Sequence, residues 1–156
     1  HGHCFGAGMQ LALGADFRIA TPDSQLAIME ARWGLVPDMG ITATLRGLIG
    51  LDMAKELTMT ARIVSGTEAK EIGLISHVAN EPMVKALALA NEICARSPDA
   101  VLAAKRVLNA MVSQPESDTL ALEKRWQRRL LLGKNFKIAG KKAKSPELNF
   151  VEREFD

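Results

Sequence analysis

Two acidic side chains and a glycine-rich turn in the first forty residues could together perform acid–base chemistry. Glu30 ends the apolar run Leu26-Ala27-Ile28-Met29, and Asp38 follows it in a loop. The turn Gly6-Ala7-Gly8 runs into the apolar segment 9–15, which predicts a short helix. Backbone N–H groups at such a turn can bind an anion, or an oxygen that becomes negative during a reaction. On this motif alone, a tight strand-to-helix turn without a function is the better explanation.

The elements that must position these groups are short at first and helical later. The patterns predict strands over 17–20 and 26–29, a loop over 34–40, and short extended pieces at 62–64 and 74–78. Helices are predicted over 42–48, 52–60, 65–71, 82–95, 98–112 and 118–132, with a short helix within the basic stretch 134–144. Asp52 and Asp118 are the predicted N-caps of their helices. This order predicts a mixed α/β fold, α+β in type, with a helical C-terminal part.

Composition narrows the class of protein. The chain has 156 residues, 47% hydrophobic and 24% charged, which is typical of a globular domain. Its net charge of +2 does not indicate nucleic-acid binding, although every charged residue from Lys124 to Lys144 is basic. Cys4 and Cys94 have no metal-ligand or disulfide spacing, so we expect buried free thiols and a reducing compartment. No apolar run is long enough to predict a membrane span.

The chain begins at His1, without Met, in a stretch that already has the pattern of a folded core. We therefore expect it to be the C-terminal portion of a longer polypeptide. A targeting sequence could precede it, so the expected location is the cytoplasm, or a mitochondrion or peroxisome in a eukaryote.

Three segments together resemble the crotonase family, the enoyl-CoA hydratase/isomerase superfamily. They are GHCFGAGMQLALGADFRIA, then LAIMEARWGLVPDMG, then TARIVSGTEAKEIGLISHV, and they span about the first eighty residues. The resemblance implies a partial spiral of β-β-α turns over 1–80. It implies that residues 81–156 form a helical region for assembly into a homotrimer or hexamer and for a lid.

The resemblance also implies a chemistry, in which acyl-CoA thioesters bind and two backbone N–H groups stabilise an enolate. One of these amides falls on Ala7, and its partner lies upstream of this chain. The first of the hydratase's two catalytic glutamates falls on Gln10 and the second on Glu30, while Asp38 matches the second acid of dienoyl-CoA isomerases. The substrate-binding positions expected around them are Gly6, Gly8, Gln10, Trp33, Leu35 and Pro37.

Coenzyme A is then part of the substrate, and no tightly bound cofactor or metal is expected. The phosphates of CoA would be met by Lys134, Lys137 and Lys141, although a solvated basic face is the commoner explanation of such a cluster.

Gln10 bears on which reaction is expected. Water addition suits two carboxylates, and an amide does not titrate. A double-bond shift needs a single base, so we prefer isomerisation with Glu30 as the base, with Asp38 as a second acid for a dienoyl substrate. Hydration by Glu30 with Gln10 as a polar helper stays open, as does a non-catalytic binding or scaffold protein whose basic helix contacts RNA. With one amide donor upstream, we expect little activity from residues 1–156 alone.

Overall fold

The computed structural model describes residues 1–155, which divide into two compact units, His1–Leu87 and Ala88 onward. In the first unit, short strands alternate with short helices. They are β1 His3–Phe5, α1 Ala7–Leu13, β2 Ile19–Ala20, β3 Gln25–Ala27, a 3-10 helix Glu30–Trp33, α2 Ile41–Thr44, α3 Leu51–Thr60, β4 Val64–Ser65, α4 Gly66–Glu71 and β5 His77–Val78. The predicted mixed α/β fold is confirmed in this unit.

Two small sheets organise the first unit. In one, β3 lies between β1, which is parallel to it, and β4, which is antiparallel. In the other, β2 and β5 pair in parallel, with Ile19 opposite His77. The register of the first sheet places Phe5 opposite Ala27, so β1 and β3 end side by side.

The core of the first unit lies between these sheets and their helices. Met9 on α1 is fully buried, and Ile28, Leu57, Val64 and Leu74 are each exposed by 2% or less. Burial of side chains of this size contributes about 1.5–3 kcal/mol each, which helps hold the short strands and α1 in place. Because Met9 anchors α1 in this core, its burial also helps to fix the Gly6-Ala7 turn at the start of the helix.

Several predicted elements are shorter than expected. Phe17 lies outside β2 and is half-exposed, and the run 26–29 leaves the sheet after Ala27. The predicted helix 42–48 is only α2, and the extended piece 74–78 is only β5, because Leu74 and Ile75 are buried in the turn before it. Burial without strand pairing explains why these apolar runs resembled longer strands.

The second unit is helical. Helix α5, Pro82–Cys94, runs into it from the first unit, and α6 Pro98–Met111, α7 Glu116–Leu132 and α8 Lys134–Lys142 follow. Helices α6 and α7 pack through Ala103, Ala110 and Trp126, and the guanidinium carbons of Arg106 and Arg129 lie 5.5 and 4.9 Å from the Trp126 ring centre. No helix within residues 1–155 combines the length and apolar character of a membrane span.

A buried network of hydrogen bonds joins the C-terminal segment to the helices of the second unit. Asp99 is 1% exposed and accepts hydrogen bonds from Asn135 Nδ2 at 2.7 Å and from the backbone N–H groups of Glu154 and Phe155. Asn135 in turn accepts from the Val151 N–H at 3.0 Å and donates to the Val151 carbonyl at 3.2 Å. Together the two side chains hold the C-terminal segment against α6 and α8.

Candidate active site

The Gly6-Ala7 turn is fixed where β1 ends. The Gly6 N–H donates to the Ala27 carbonyl at 3.0 Å, which ties the turn to the neighbouring strand β3. Gly6 has φ 52° and ψ −122°, a region that favours glycine, and it caps α1. Ala7 is the first residue of α1, so its N–H has no acceptor within the helix.

Glu30 lies beside this turn. Because β1 and β3 are parallel and in register, the 3-10 helix that follows β3 begins next to the residues that follow β1. A Cβ placed on Gly6 would lie 3.6 Å from Glu30 Oε1, so the glycine backbone faces the carboxylate. The carboxylate and the Ala7 turn are therefore near neighbours.

The two oxygens of Glu30 have different surroundings. Oε1 accepts a hydrogen bond from Gln10 Nε2 at 2.6 Å. Oε2 is buried and has no hydrogen-bond partner among residues 1–155. An unpartnered buried oxygen costs about 1–3 kcal/mol, so it calls for an explanation, of which a catalytic role is one.

Gln10 is buried, with 2% of its surface exposed, and both ends of its amide are engaged. Its Nε2 donates to Glu30, and its Oε1 accepts from the backbone N–H of Met39 at 2.8 Å. Since a backbone N–H can only donate, Met39 fixes which end of the amide faces Glu30.

A cavity of about 320 Å³ opens at this place. Its walls are mostly apolar, and Glu30 is the one titratable side chain among them; the lining residues are Phe5, Gly6, Ala7, Met29, Glu30 and Trp33. Sequence reasoning did not single out Phe5 or the Met39 amide. Phe5 directly precedes the glycine turn, so its position at the end of a strand was the available signal, whereas the Met39 amide leaves none.

The remaining predicted site positions lie around this cavity or outside it. Trp33 lines it and is 73% exposed. Leu35 is 65% exposed and Pro37 is buried, and neither lines the cavity. Asp38 is exposed and directly precedes Met39, whose N–H donates to Gln10. Gly8 is exposed within α1.

The three lysines expected at CoA phosphates belong to the second unit. Lys134, Lys137 and Lys141 are exposed on α8 at helical spacing. The Lys134 ammonium lies 3.8 Å from Glu154 Oε1 with its side chain 76% exposed.

Neither cysteine lines the cavity beside Glu30. Cys4 is partly buried in β1, and burial raises the pKa of its thiol. Its thiol is therefore protonated at neutral pH. Cys94 is exposed at the end of α5, which corrects the expectation that both thiols are buried.

Comparison with known proteins agrees with this geometry. The family model for enoyl-CoA hydratase/isomerase matches residues 1–154. The mitochondrial methylglutaconyl-CoA hydratase of Mus musculus is 36% identical over 128 residues, which cover 78% of this chain and 41% of the mouse protein. Enoyl-CoA hydratase EchA19 of Mycobacterium tuberculosis is 34% identical over 124 residues, covering 78% of this chain and 47% of that protein. The chain thus spans less than half the length of these relatives.

Solved structures share the fold. An enoyl-CoA hydratase from Mycobacterium tuberculosis H37Rv superposes with a TM-score of 0.90 at 27% identity, over 97% of this chain and 61% of that one. A candidate enoyl-CoA hydratase from Thermobifida fusca YX in complex with CoA gives a TM-score of 0.79 at 34% identity, over 84% of this chain and 52% of the other. The resemblance and the crotonase fold are confirmed, and the chain belongs to the enoyl-CoA hydratase/isomerase family.

Proposed function

We propose that the protein carrying this chain moves protons on acyl-CoA thioesters through a stabilised enolate, and that it shifts a double bond in preference to adding water. The observation that carries this proposal is the asymmetry of Glu30. One oxygen is held by a neutral amide, the other is buried with no hydrogen-bond partner among residues 1–155, and the side chain lines an apolar cavity together with Ala7. A lone carboxylate in such a place suits a base that removes a proton from one carbon and returns it to another.

The roles divide as follows. The Ala7 N–H donates to the thioester oxygen as it gains negative charge, together with a second donor that belongs to the upstream part of the protein. Glu30 takes the proton from carbon, so the electron pair moves into the enolate, and then returns that proton at the new position. The cavity walls, with Phe5, Met29 and Trp33, pack against the acyl chain.

Asp38 extends the proposal to dienoyl substrates. Their longer shift suits acids at both ends of the conjugated system, and Asp38 is exposed in the loop that also presents Leu35. Its neighbour Met39 is tied to Gln10, so Asp38 belongs to a segment connected to the Glu30 site.

Hydration is the second candidate, and the names of the relatives favour it, since the mouse and Mycobacterium tuberculosis proteins are both called hydratases. In this chain Glu30 would then make both proton transfers, with Gln10 as the polar helper.

Binding and assembly are proposed with the reaction. CoA enters as part of the substrate, as the complexes of the Thermobifida fusca protein with CoA and with acetoacetyl-CoA suggest, and Lys134, Lys137 and Lys141 are proposed phosphate contacts. Residues 81–156 are proposed to serve assembly into a homotrimer or hexamer and to form a lid. The proposed location is cytoplasmic or organellar, and several relatives are mitochondrial.

The experiment is a product panel with a variant of the base. The full polypeptide that carries this chain is incubated with 2-enoyl, 3-enoyl and 3,5-dienoyl thioesters, and the products are identified by NMR. We expect double-bond shifts to exceed water addition, and we expect Glu30→Gln to lower kcat by about 10²- to 10⁴-fold while the fold is kept. Glu71→Gln, which changes an exposed glutamate of the same unit, is the matched control and should leave the rate unchanged.

Three results would change the proposal. A Glu30→Gln variant with an unchanged rate removes Glu30 as the base, and a hydroxyacyl product in excess selects hydration. No turnover of any thioester, together with RNA binding that weakens steeply with salt, selects the non-catalytic scaffold.

A further inference from the structure

We propose that Gln10 is a positioning residue, which holds Glu30 in its reactive orientation by linking it to the backbone of loop 34–40. This inference rests on the proposed function, because it assigns a purpose to the hydrogen bonds of the proposed base. It gives Gln10 a role through Glu30 in place of the substrate contact that the family pattern implies.

The first observation is that both ends of the Gln10 amide are hydrogen-bonded to other residues of the chain. It is 2% exposed, its Nε2 donates to Glu30 Oε1, and its Oε1 accepts from Met39 N. The amide therefore forms a continuous hydrogen-bonded connection from the loop backbone to the carboxylate.

The second observation is that this hydrogen bond makes the two oxygens of Glu30 unequal. With Oε1 occupied at 2.6 Å, Oε2 is the oxygen of Glu30 that has no hydrogen bond among residues 1–155, and we assign the proton transfer to it. An amide suits this role, because it donates to a carboxylate at every pH and never competes for the proton. A carboxyl group at position 10 would have to share a proton with Glu30 at this distance.

The third observation is where the connection leads. Loop 34–40 carries the exposed apolar side chains of Leu35, Val36 and Met39, which are 65%, 75% and 45% exposed. An acyl chain that packs on this loop would restrain the Met39 backbone and, through Gln10, the carboxylate. Small displacements of a reacting group cost much of its rate, about 10²-fold for 1 Å.

The test begins with Gln10→Met in the full polypeptide, which keeps the size of the side chain and removes both hydrogen bonds. We expect kcat for the double-bond shift to fall about 10- to 100-fold with KM changed less than about twofold, since substrate binding does not use the amide. Hydrogen exchange at the Met39 N–H should accelerate, because its acceptor is gone. Gln127→Met, at an exposed position of α7, is the matched control and should change neither quantity.

A double-mutant cycle separates positioning from a general structural effect. Glu30→Asp keeps a base but withdraws it from the Gln10 amide, so Gln10→Met should cost less than about threefold in that background. Equal losses in both backgrounds would overturn the proposal, as would a Met39 N–H that exchanges at the parent rate in Gln10→Met.

A second variant keeps the inference testable if Gln10→Met does not fold. Gln10→Glu retains an acceptor for Met39, so we expect protection at Met39 to persist while the double-bond shift slows by at least tenfold. A parent-like rate in this variant would overturn the proposal. If Glu30→Gln is inactive and either folded Gln10 variant is not impaired, positioning alone is wrong, whereas an active Glu30→Gln removes the proposed function itself.

Discussion

At the scale of single residues, the Ala7 N–H is the group on which the proposed enolate stabilisation depends. It opens α1 without an intrahelical acceptor, next to a glycine whose backbone conformation favours the absence of a side chain. The methyl group of Ala7 takes no part in this role, so the residue type matters only through its backbone.

Ala7→Pro tests the amide. Proline is tolerated at the first position of a helix and lacks only the N–H, so we expect a folded protein whose kcat falls about 10²- to 10³-fold. Ala7→Gly keeps the N–H and should retain most of the rate, and circular dichroism checks both folds. A proline variant that is folded and fully active would show that the thioester oxygen binds elsewhere.

Residue types revealed the candidate groups of the site but not their connections. The positions of Ala7, Gln10 and Glu30 follow from motifs, whereas the bonds from Gln10 to Glu30 and Met39 join residues 20 and 29 positions apart. These bonds depend on the parallel register of β1 and β3, which no local pattern specifies.

At the scale of elements, α4 depends on a close approach that only glycine permits. An added Cβ at Gly66 would lie 2.0 Å from the Thr21 carbonyl oxygen, and the next residue, Thr67, donates its N–H to the Pro22 carbonyl at 3.3 Å. The turn that follows β2 therefore lies directly against the start of α4.

Gly66→Ala should lower the free energy of unfolding by about 2–3 kcal/mol, because the backbone of the turn must move to admit the methyl group. Gly8→Ala is the control in the same unit. Beyond its chain neighbours and its own helix backbone, no atom of residues 1–155 lies within 4 Å of the added Cβ, and a helical alanine is favoured by up to about 1 kcal/mol. Denaturant titration measures both, and equal stabilities would contradict the close approach.

Helix boundaries were predictable where a side chain makes the cap. Helices α4 and α6 begin at Gly66 and Pro98, within one residue of the predicted starts, where Ser65 and Ser97 accept from the N–H groups of Glu68 and Ala100. Asp52 and Asp118 were wrong as caps, because α3 and α7 begin earlier, after Gly50 and Pro115. An acid in the first turn is favoured by the helix dipole as well as at the cap, so its type alone does not locate the boundary.

At the scale of the whole molecule, the second unit is stabilised partly by hydrogen bonds to buried polar side chains. Asp99 accepts from three N–H groups on α8 and the C-terminal segment, and Glu154 Oε2 accepts from the Lys134 N–H at 2.6 Å. An aspartate in the first turn of a helix, as Asp99 is in α6, is usually exposed and favoured by the helix dipole. Its burial depends on the tail returning to α6, a tertiary event that local patterns do not encode.

Asp99→Asn should destabilise the second unit by about 2–3 kcal/mol, because the new NH₂ group faces donors. We expect faster proteolysis within 150–155 and a lower unfolding temperature. Asp118→Asn, on an exposed first turn, is the control and should cost less than about 1 kcal/mol. Equal protease resistance in the two variants would contradict the role of Asp99.

The short sequence separations at Gln10 have a kinetic consequence. Bonds that span 20 and 29 residues close small loops, and closure entropy rises only with the logarithm of loop length. Contacts of this kind form quickly when a chain collapses. The surroundings of the carboxylate should therefore assemble early during folding, as soon as β1 and β3 align, and before the slower events of the remaining chain.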